Sequence, residues 1–595
     1  KTYDVEGVEW ETREYKMHEL TAKEVTAYGL DDVYTAGALW NFFKLFMQLD
    51  HTYDAFKRLE QKPMYLSALA YVQGIEVDME RLKLLEAEDM KLSDECWGKV
   101  EAFLIEKGWE GVTCPVFEEL NPANIKQAVE IILGMELKTM VRTVSKLAVL
   151  VSELEHDDAA SLAKFIEEDR VDLVNAWVKR VYTGKPNFNV GSPNQIAKLM
   201  YEVIGAPVRL RNKATDAMKA KGIREGNPRT DDGAIEMAVK MGDVKGVEAE
   251  VLEALLTMKS CNTRNALYWS SYPTMIQWKT GRLHPEVRQS GTNTRRFTGS
   301  TPNIMQMQGD EGGVRSVIKD GNRLIGSLDQ SSQEVRLMAE LSQDPGLLSC
   351  YLGDNLRDTH SLVAHRIAKV TYEEFMVMRK SENKEVATKA NSIRQISKQV
   401  FFGYLFGSAA PKTAETLGIS VEEAQGYIDA IEKAFPGIKT YQEASSNMAE
   451  TQGWVPILGG TKRHLAELVN SDDNWTASKA LRQAGNARIQ GAAANQIKTV
   501  MSDIWDSDLL ENSSFRWVFP CHDEIVVSTD KKDTVEVIQR LHQMMVKPFM
   551  TTLPSESSIG VGRSYGFLKE MPEESFKCGR FDREMLQKAV DSLFV

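Results

Sequence analysis

Two apolar runs, Trp517 to Pro520 and Ile525 to Ser528, flank Cys521, His522, Asp523 and Glu524. Short β-prone runs joined by a few polar residues read as a β-hairpin, here with Asp523 at its tight turn. A third apolar run, Arg323 to Leu328, is ended by Asp329, and a helical pattern resumes at Glu334. A carboxylate at a strand's end lies at a sheet edge, where it can meet a ligand. Either Asp alone is better explained as a loop cap. Together they could clamp two divalent cations ~3.5–4 Å apart, the arrangement that serves phosphoryl transfer.

Between these runs, Arg394, Lys398, Phe402 and Phe406 recur at steps of four. On a helix they share one face and form a ridge roughly 18 Å long. Two cations suit a triphosphate, and two aromatic rings suit a base and sugar. An amphipathic surface helix with solvated cations and core aromatics would show the same spacing.

The run Arg-x3-Lys-x3-Phe-Gly-x2-aromatic-Gly from Arg394 to Gly407 resembles the fingers helix of the family A (DNA polymerase I-like) DNA polymerases. Phe406 stands where that family usually has Tyr, so its ring carries no hydroxyl. Residues 329–336, Asp-x-Ser-x2-Glu-x-Arg, resemble the family's motif A, and His522-Asp523-Glu524 its motif C. Gln330 replaces the usual Tyr. The resemblance implies that Asp329 and Asp523 are the metal ligands, holding two Mg²⁺ ions, with Mn²⁺ as a substitute. It implies that Arg394, Lys398 and His360 hold the triphosphate, with Lys398 protonating pyrophosphate. Phe402 and Phe406 would pack on the nucleotide, and Glu334 would block a 2′-hydroxyl. Arg296, Arg482, Asn486, Gln490, His522 and Glu524 would contact primer and template. Tyr28 and Asp32, four apart, resemble the last motif of the 3′–5′ exonuclease fused to such polymerases. The partners implied are primer-template DNA and dNTPs.

The expected architecture is α+β, a right hand with an antiparallel palm sheet and helical fingers and thumb. Its parts are an exonuclease remnant (1–57), thumb (58–280), first palm segment (281–340), fingers (341–485), second palm segment (486–566) and a C-terminal extension (567–595) with no assigned role. Residues 112–186 read as a thumb insertion, a candidate contact for a processivity or replisome partner or a plain helical elaboration. The family's other exonuclease carboxylates have no counterpart here. The chain alone is therefore expected to remove no 3′ nucleotides, and to pair with an N-terminal exonuclease segment or a second chain that carries one. Thr230 is read as a helix cap in the thumb.

The net charge of −13 does not favour nucleic acid as a whole, since what matters is where positive charge sits. Six cations between Arg209 and Arg224 face one acid, Asp216, a patch that could track phosphates or a solvated loop. The six Cys show no CxxC spacing, which argues against structural zinc and for a reducing compartment. No apolar run is long enough to span a bilayer. The expectation is a phage-type enzyme in the cytoplasm of a bacterial host, acting in DNA replication. Two alternatives stay open: a single-subunit RNA polymerase, which would lack the Glu334 gate, and a non-catalytic nucleic-acid scaffold, which need not keep both carboxylates.

Overall fold

The computed structural model describes residues 2–5, 8–11, 22–109, 117–133, 143–154, 159–181, 186, 188–309, 313–353, 356–576 and 579–594. The chain divides into two compact units, one made of residues 1–82, 272–413 and 421–595, the other of residues 83–271 and 414–420.

The first unit is built on five antiparallel strands: β1 (Leu324–Gln330), β2 (Arg516–Cys521), β3 (Glu524–Thr529), β4 (Ser557–Ser564) and β5 (Phe567–Glu570). Their spatial order is β2-β3-β1-β4-β5. β1 is therefore flanked on both sides, and all but one of its residues are buried, as an apolar run bounded by polar residues predicts. The hairpin read around Asp523 is β2 and β3, with Cys521 opposite Glu524. His522 turns the chain at φ 58°, in the left-handed region where His is tolerated better than bulky residues.

Six helices matter here: α1 (Gln333–Ser342), α2 (Thr359–Ala368), α3 (Lys384–Leu405), α4 (Asn474–Trp505), α5 (Thr534–Met545) and α6 (Arg583–Ser592). α5 packs on β1 and β4, and α1 packs on α4. Gly326 lets α5 approach, because a Cβ there would meet Ile538 and come within 3.2 Å of Val527 Cγ2. The C-terminal extension has a structural place: β5 pairs with β4, and α6 packs on α5 and β4.

The two units divide the chain at places other than the limits expected from sequence. Residues 58–82 join the first unit because the helix Lys62–Gln73 packs on α4 and β2. Residues 272–280 also belong there, whereas 414–420 join the second unit. Of the exonuclease-like pair, both lie on the helix Ala22–Leu49. Asp32 is exposed, and the side chain of Tyr28 lies outside the described residues.

In the second unit, Val100, Phe103, Leu199, Ile235, Leu252 and Leu255 share one core. The helix Asp232–Lys240 is capped by Asp231, which accepts from the Ala234 amide at 3.1 Å. Asp231, not Thr230, is the cap, because its short carboxylate reaches that amide. The run from Arg209 to Arg224 contains a small hairpin, Arg211–Lys213 with Glu225–Pro228. Arg209 pairs with Asp243 and Arg211 with Glu225, so at least two of the six cations are already neutralised. Within the expected insertion, the helices Pro122–Ile132, Val144–Ser152, Ala159–Glu167 and Val171–Val181 bury a separate core around Ile125, Val129, Leu147, Val151, Leu162 and Val174.

Candidate active site

Asp329 stands near the end of β1, directly opposite Glu524 on β3. The Gln330 amide donates to the Asp523 carbonyl at 3.1 Å, which ties the β2–β3 turn to the end of β1. The two aspartates are thus fixed by one hydrogen-bonded ladder. Burial, then the Asp523 and Glu524 charges, pushes the Asp329 carboxyl up to about 8. Burial raises Asp523 as well. Such a carboxylate pair is short of positive charge.

Glu524 is buried at the neighbouring position. It accepts from Ser327 Oγ and from Tyr565 Oη, the latter at 2.6 Å, and Arg315 Nη1 lies 3.6 Å from it. Glu524, expected at primer or template, here spends its carboxylate on partners inside the sheet and braces the turn. His522 beside it is exposed. Gln330, in the position usual for Tyr, is buried. It donates to the Met545 carbonyl at 2.8 Å and accepts from Gln496 at 3.2 Å, so hydrogen bonds replace ring packing.

A cavity of about 350 Å³ adjoins Asp523 and is lined in part by Arg296, Glu334, Phe402, Phe406 and His522. Five residues read as nucleotide or primer contacts thus meet Asp523 in one place. Arg296 and Glu334 form an ion pair with each other. Burial raises the Glu334 carboxyl, and the Arg296 charge opposes that rise.

α3 carries the ridge as the fourfold spacing predicts, with Phe406 as its C-cap. The Phe402 and Phe406 rings are 6.5 Å apart, and Lys398 is exposed. His360, on α2, packs against Phe401 and Phe402 at 5.5 and 5.9 Å. Burial pushes its imidazole down to about 4, so it is neutral at pH 7. Its Nδ1 is buried without a hydrogen-bond partner among the described residues. Arg394 departs from expectation. Its guanidinium forks onto Asp358 through two hydrogen bonds of 2.9 and 2.7 Å, so its charge is already balanced. Asp358 also caps α2, accepting from the Ser361 amide at 2.7 Å.

α4 carries Arg482, Asn486 and Gln490. Arg482 is exposed, the other two are half-buried, and Asn486 Oδ1 is buried with no hydrogen-bond partner among the described residues.

Sequence reasoning did not assign Asp358, Ser327, Arg315 or Tyr565. Asp358 had a local signal, three residues before Ser361 at a helix start. The other three act on Glu524 across the sheet, where no local spacing points to them.

Against known proteins, residues 160–567 match the model of DNA polymerase family A. The chain belongs to that family. It is 27% identical over 387 residues to DNA polymerase I of Borreliella burgdorferi, covering 64% of this chain and 38% of the relative. Against the thermostable DNA polymerase I of Thermus aquaticus it is 24% identical over 392 residues, covering 64% and 42%. The chain thus spans about two fifths of the length of these family A relatives. The fold is similar to that of the POL domain of Pol1 from M. smegmatis, solved in complex with DNA primer-template and dNTP. The TM-score is 0.62 at 20% identity, over 88% of this chain and 73% of that one. Among the described residues, no helix is long and apolar enough to cross a membrane.

Proposed function

We propose that this family A chain is a template-directed DNA polymerase that extends a primer 3′-hydroxyl with dNTPs, and that Asp329 and Asp523 hold two divalent ions, Mg²⁺ or Mn²⁺. The observation that carries the reading is the ladder that joins Asp329 to the Asp523 turn beside the cavity of Glu334, Phe402 and Arg296. The donor set fits: two hard carboxylate oxygens with raised proton affinity suit Mg²⁺, which is held by one or two carboxylates plus substrate phosphates. When bound, such ions activate the attacking hydroxyl and neutralise charge on the leaving pyrophosphate.

The chain's own residues then have defined tasks. Lys398 binds the triphosphate and gives a proton to pyrophosphate. His360, neutral at pH 7, offers a hydrogen bond without adding charge. Phe402 and Phe406 pack on the base and sugar. Glu334, pinned by Arg296, occupies the space a 2′-hydroxyl would need. Arg296 reads the minor groove of the terminal pair, whose acceptors are nearly sequence-independent. Arg482, Asn486 and Gln490 contact primer and template from α4. A replicative role, a phage origin with a bacterial cytoplasmic setting, and a processivity or replisome partner at the insertion belong to the same proposal, resting on resemblance alone. So does the exonuclease relation of residues 1–57, which rests on Tyr28 and Asp32.

Primer extension with Mg²⁺, comparing deoxy- and ribonucleotides, tests the reading. Asp329→Asn or Asp523→Asn is expected to cost about a hundredfold or more in extension, because an amide cannot balance the cations. Primer-template binding is expected to persist. Extension within tenfold of wild type in either variant removes that Asp from the site. Preference for ribonucleotides favours an RNA polymerase, and binding without extension favours a scaffold. Metal-dependent shortening of a mismatched primer, lost in Asp32→Ala, would overturn the expectation that the chain removes no 3′ nucleotides.

A further inference from the structure

Lys498 on α4 is fully buried, with an ammonium that no water reaches. Its partner is Glu60, on the π-helical turn Lys57–Gln61, at 2.7 Å from Nζ to Oε1. The same Oε1 also accepts from Arg295 Nη2. One carboxylate therefore serves two cations. Glu60 Oε2 and Arg295 Nε are buried and have no hydrogen-bond partner among the described residues. Burial, with the Arg295 charge, brings the Lys498 ammonium down to about 8. A core that needed only stability would do better with apolar side chains of similar volume.

The cluster's position gives it another purpose. Arg295 holds φ 65°, a left-handed conformation that persists in a non-glycine residue only where the surroundings enforce it. Glu60 supplies that enforcement through the Arg295 guanidinium. On the other side of Arg296, the Phe297 ring lies 5.7 Å from Lys498 Nζ and helps to line the cavity. The two neighbours of Arg296 are thus anchored to one buried cluster, while Arg296 itself reaches Glu334. The Gln289 side chain donates to the Glu60 carbonyl at 3.4 Å. Locally, the Arg295 amide donates to the Thr292 carbonyl at 3.0 Å and the Arg296 amide to Thr292 Oγ1 at 2.9 Å.

We propose that Glu60 and Lys498 are positioning residues for Arg296, fixing the backbone of residues 292–297 so that a mismatched primer terminus is rejected. The effect on mismatches rests on the polymerase reading, whereas the backbone effect does not. Neither residue touches the cavity, so both act through Arg295 and Phe297.

The test uses the full chain and three variants. Glu60→Gln strands two cations and is prone to unfolding. Glu60→Gln/Lys498→Met removes both charges of the buried pair and is expected to fold, yet it leaves Arg295 with only a neutral acceptor, a weaker anchor than a carboxylate. Hydrogen exchange at the amides of residues 292–297 is expected to accelerate about tenfold or more in the double variant, without a matching change in β1. The ratio of matched to mismatched primer extension is expected to fall about fivefold or more, with kcat/KM on the matched primer reduced. Glu60→Asp, which keeps the charge, is expected to recover part of both. A folded double variant with wild-type exchange at 292–297 and an unchanged ratio overturns the proposal. If the wild type extends no primer at all, the polymerase reading fails, and the exchange measurement alone decides the positioning role.

Discussion

Asp358 and Arg394 face each other as a fork on a fork, Nε to Oδ1 at 2.9 Å and Nη2 to Oδ2 at 2.7 Å. The same carboxylate caps α2. Two tasks on one side chain make its replacement informative. Asn keeps a cap almost as well as Asp does, but it cannot balance a guanidinium. A triphosphate would have to compete with Asp358 for the same donors. Asp358→Asn is therefore expected to lower the nucleotide KM by roughly fivefold, about 1 kcal/mol for a partly exposed pair, with kcat little changed. Single-nucleotide incorporation kinetics measure this. A raised KM would mean that Asp358 orients Arg394 for phosphate instead of withholding it.

Glu334→Ala removes the carboxylate that pairs with Arg296 and is proposed to fill the 2′ position. Selectivity for deoxy- over ribonucleotides is expected to fall about 10- to 200-fold, the range available to one pocket contact. Phe402→Tyr is expected to improve dideoxynucleotide use, since it adds a hydroxyl on the face proposed to meet the sugar. Competition of the paired nucleotides on one primer reads both ratios, and unchanged ratios in both variants would mean a differently built pocket.

Lys498 titrates below its ordinary 10.5, at about 8, because it is buried. Between these values the unfolded chain binds the proton that the folded chain has released. Stability from this group therefore rises with pH across that window and is at its lowest below pH 8. The full displacement corresponds to roughly 3 kcal/mol at about 1.4 kcal/mol per pH unit. Urea unfolding of wild type and Lys498→Met from pH 7 to 10.5 checks it: the wild type should gain relative to the variant as pH rises, and parallel curves would contradict the assignment.

In the second unit, Leu162 is fully buried in the core of the four helices between residues 122 and 181. Leu162→Ala is expected to cost about 2–5 kcal/mol there. Because that core is separate from the one around Leu252, exchange protection should drop within residues 117–181 while β1 keeps its own. Uniform loss across the chain would show that the helices are not an independent cooperative unit.

The hairpin at His522 and Asp523 was legible because strand runs and a polar turn are local signals. So was the ridge on α3, which needs only a helical repeat. The partners were not. Asp358 meets Arg394 across a bend between two helices, and Glu60 meets Lys498 from the far end of the chain. Charge pairing at such separations leaves no mark in spacing. Lys498 gave the nearest thing to one: a cation next to Ile497 and two residues before Val500 on a helix whose neighbours are apolar. The boundaries at residues 82 and 272 escaped because the helix Lys62–Gln73 packs by surface shape, on elements that follow it by hundreds of residues.

The ladder between β1 and β3 has an implication for how this chain could change over evolutionary time. A strand pairs in whole residues, and a slip of one turns every side chain to the opposite face. The spacing of Asp329 and Asp523 is therefore quantised: it cannot drift gradually, and a deletion or insertion inside Leu324–Gln330 or Glu524–Thr529 abolishes it at once. The helices between residues 122 and 181 belong to no strand ladder, so a change of length there leaves that spacing alone.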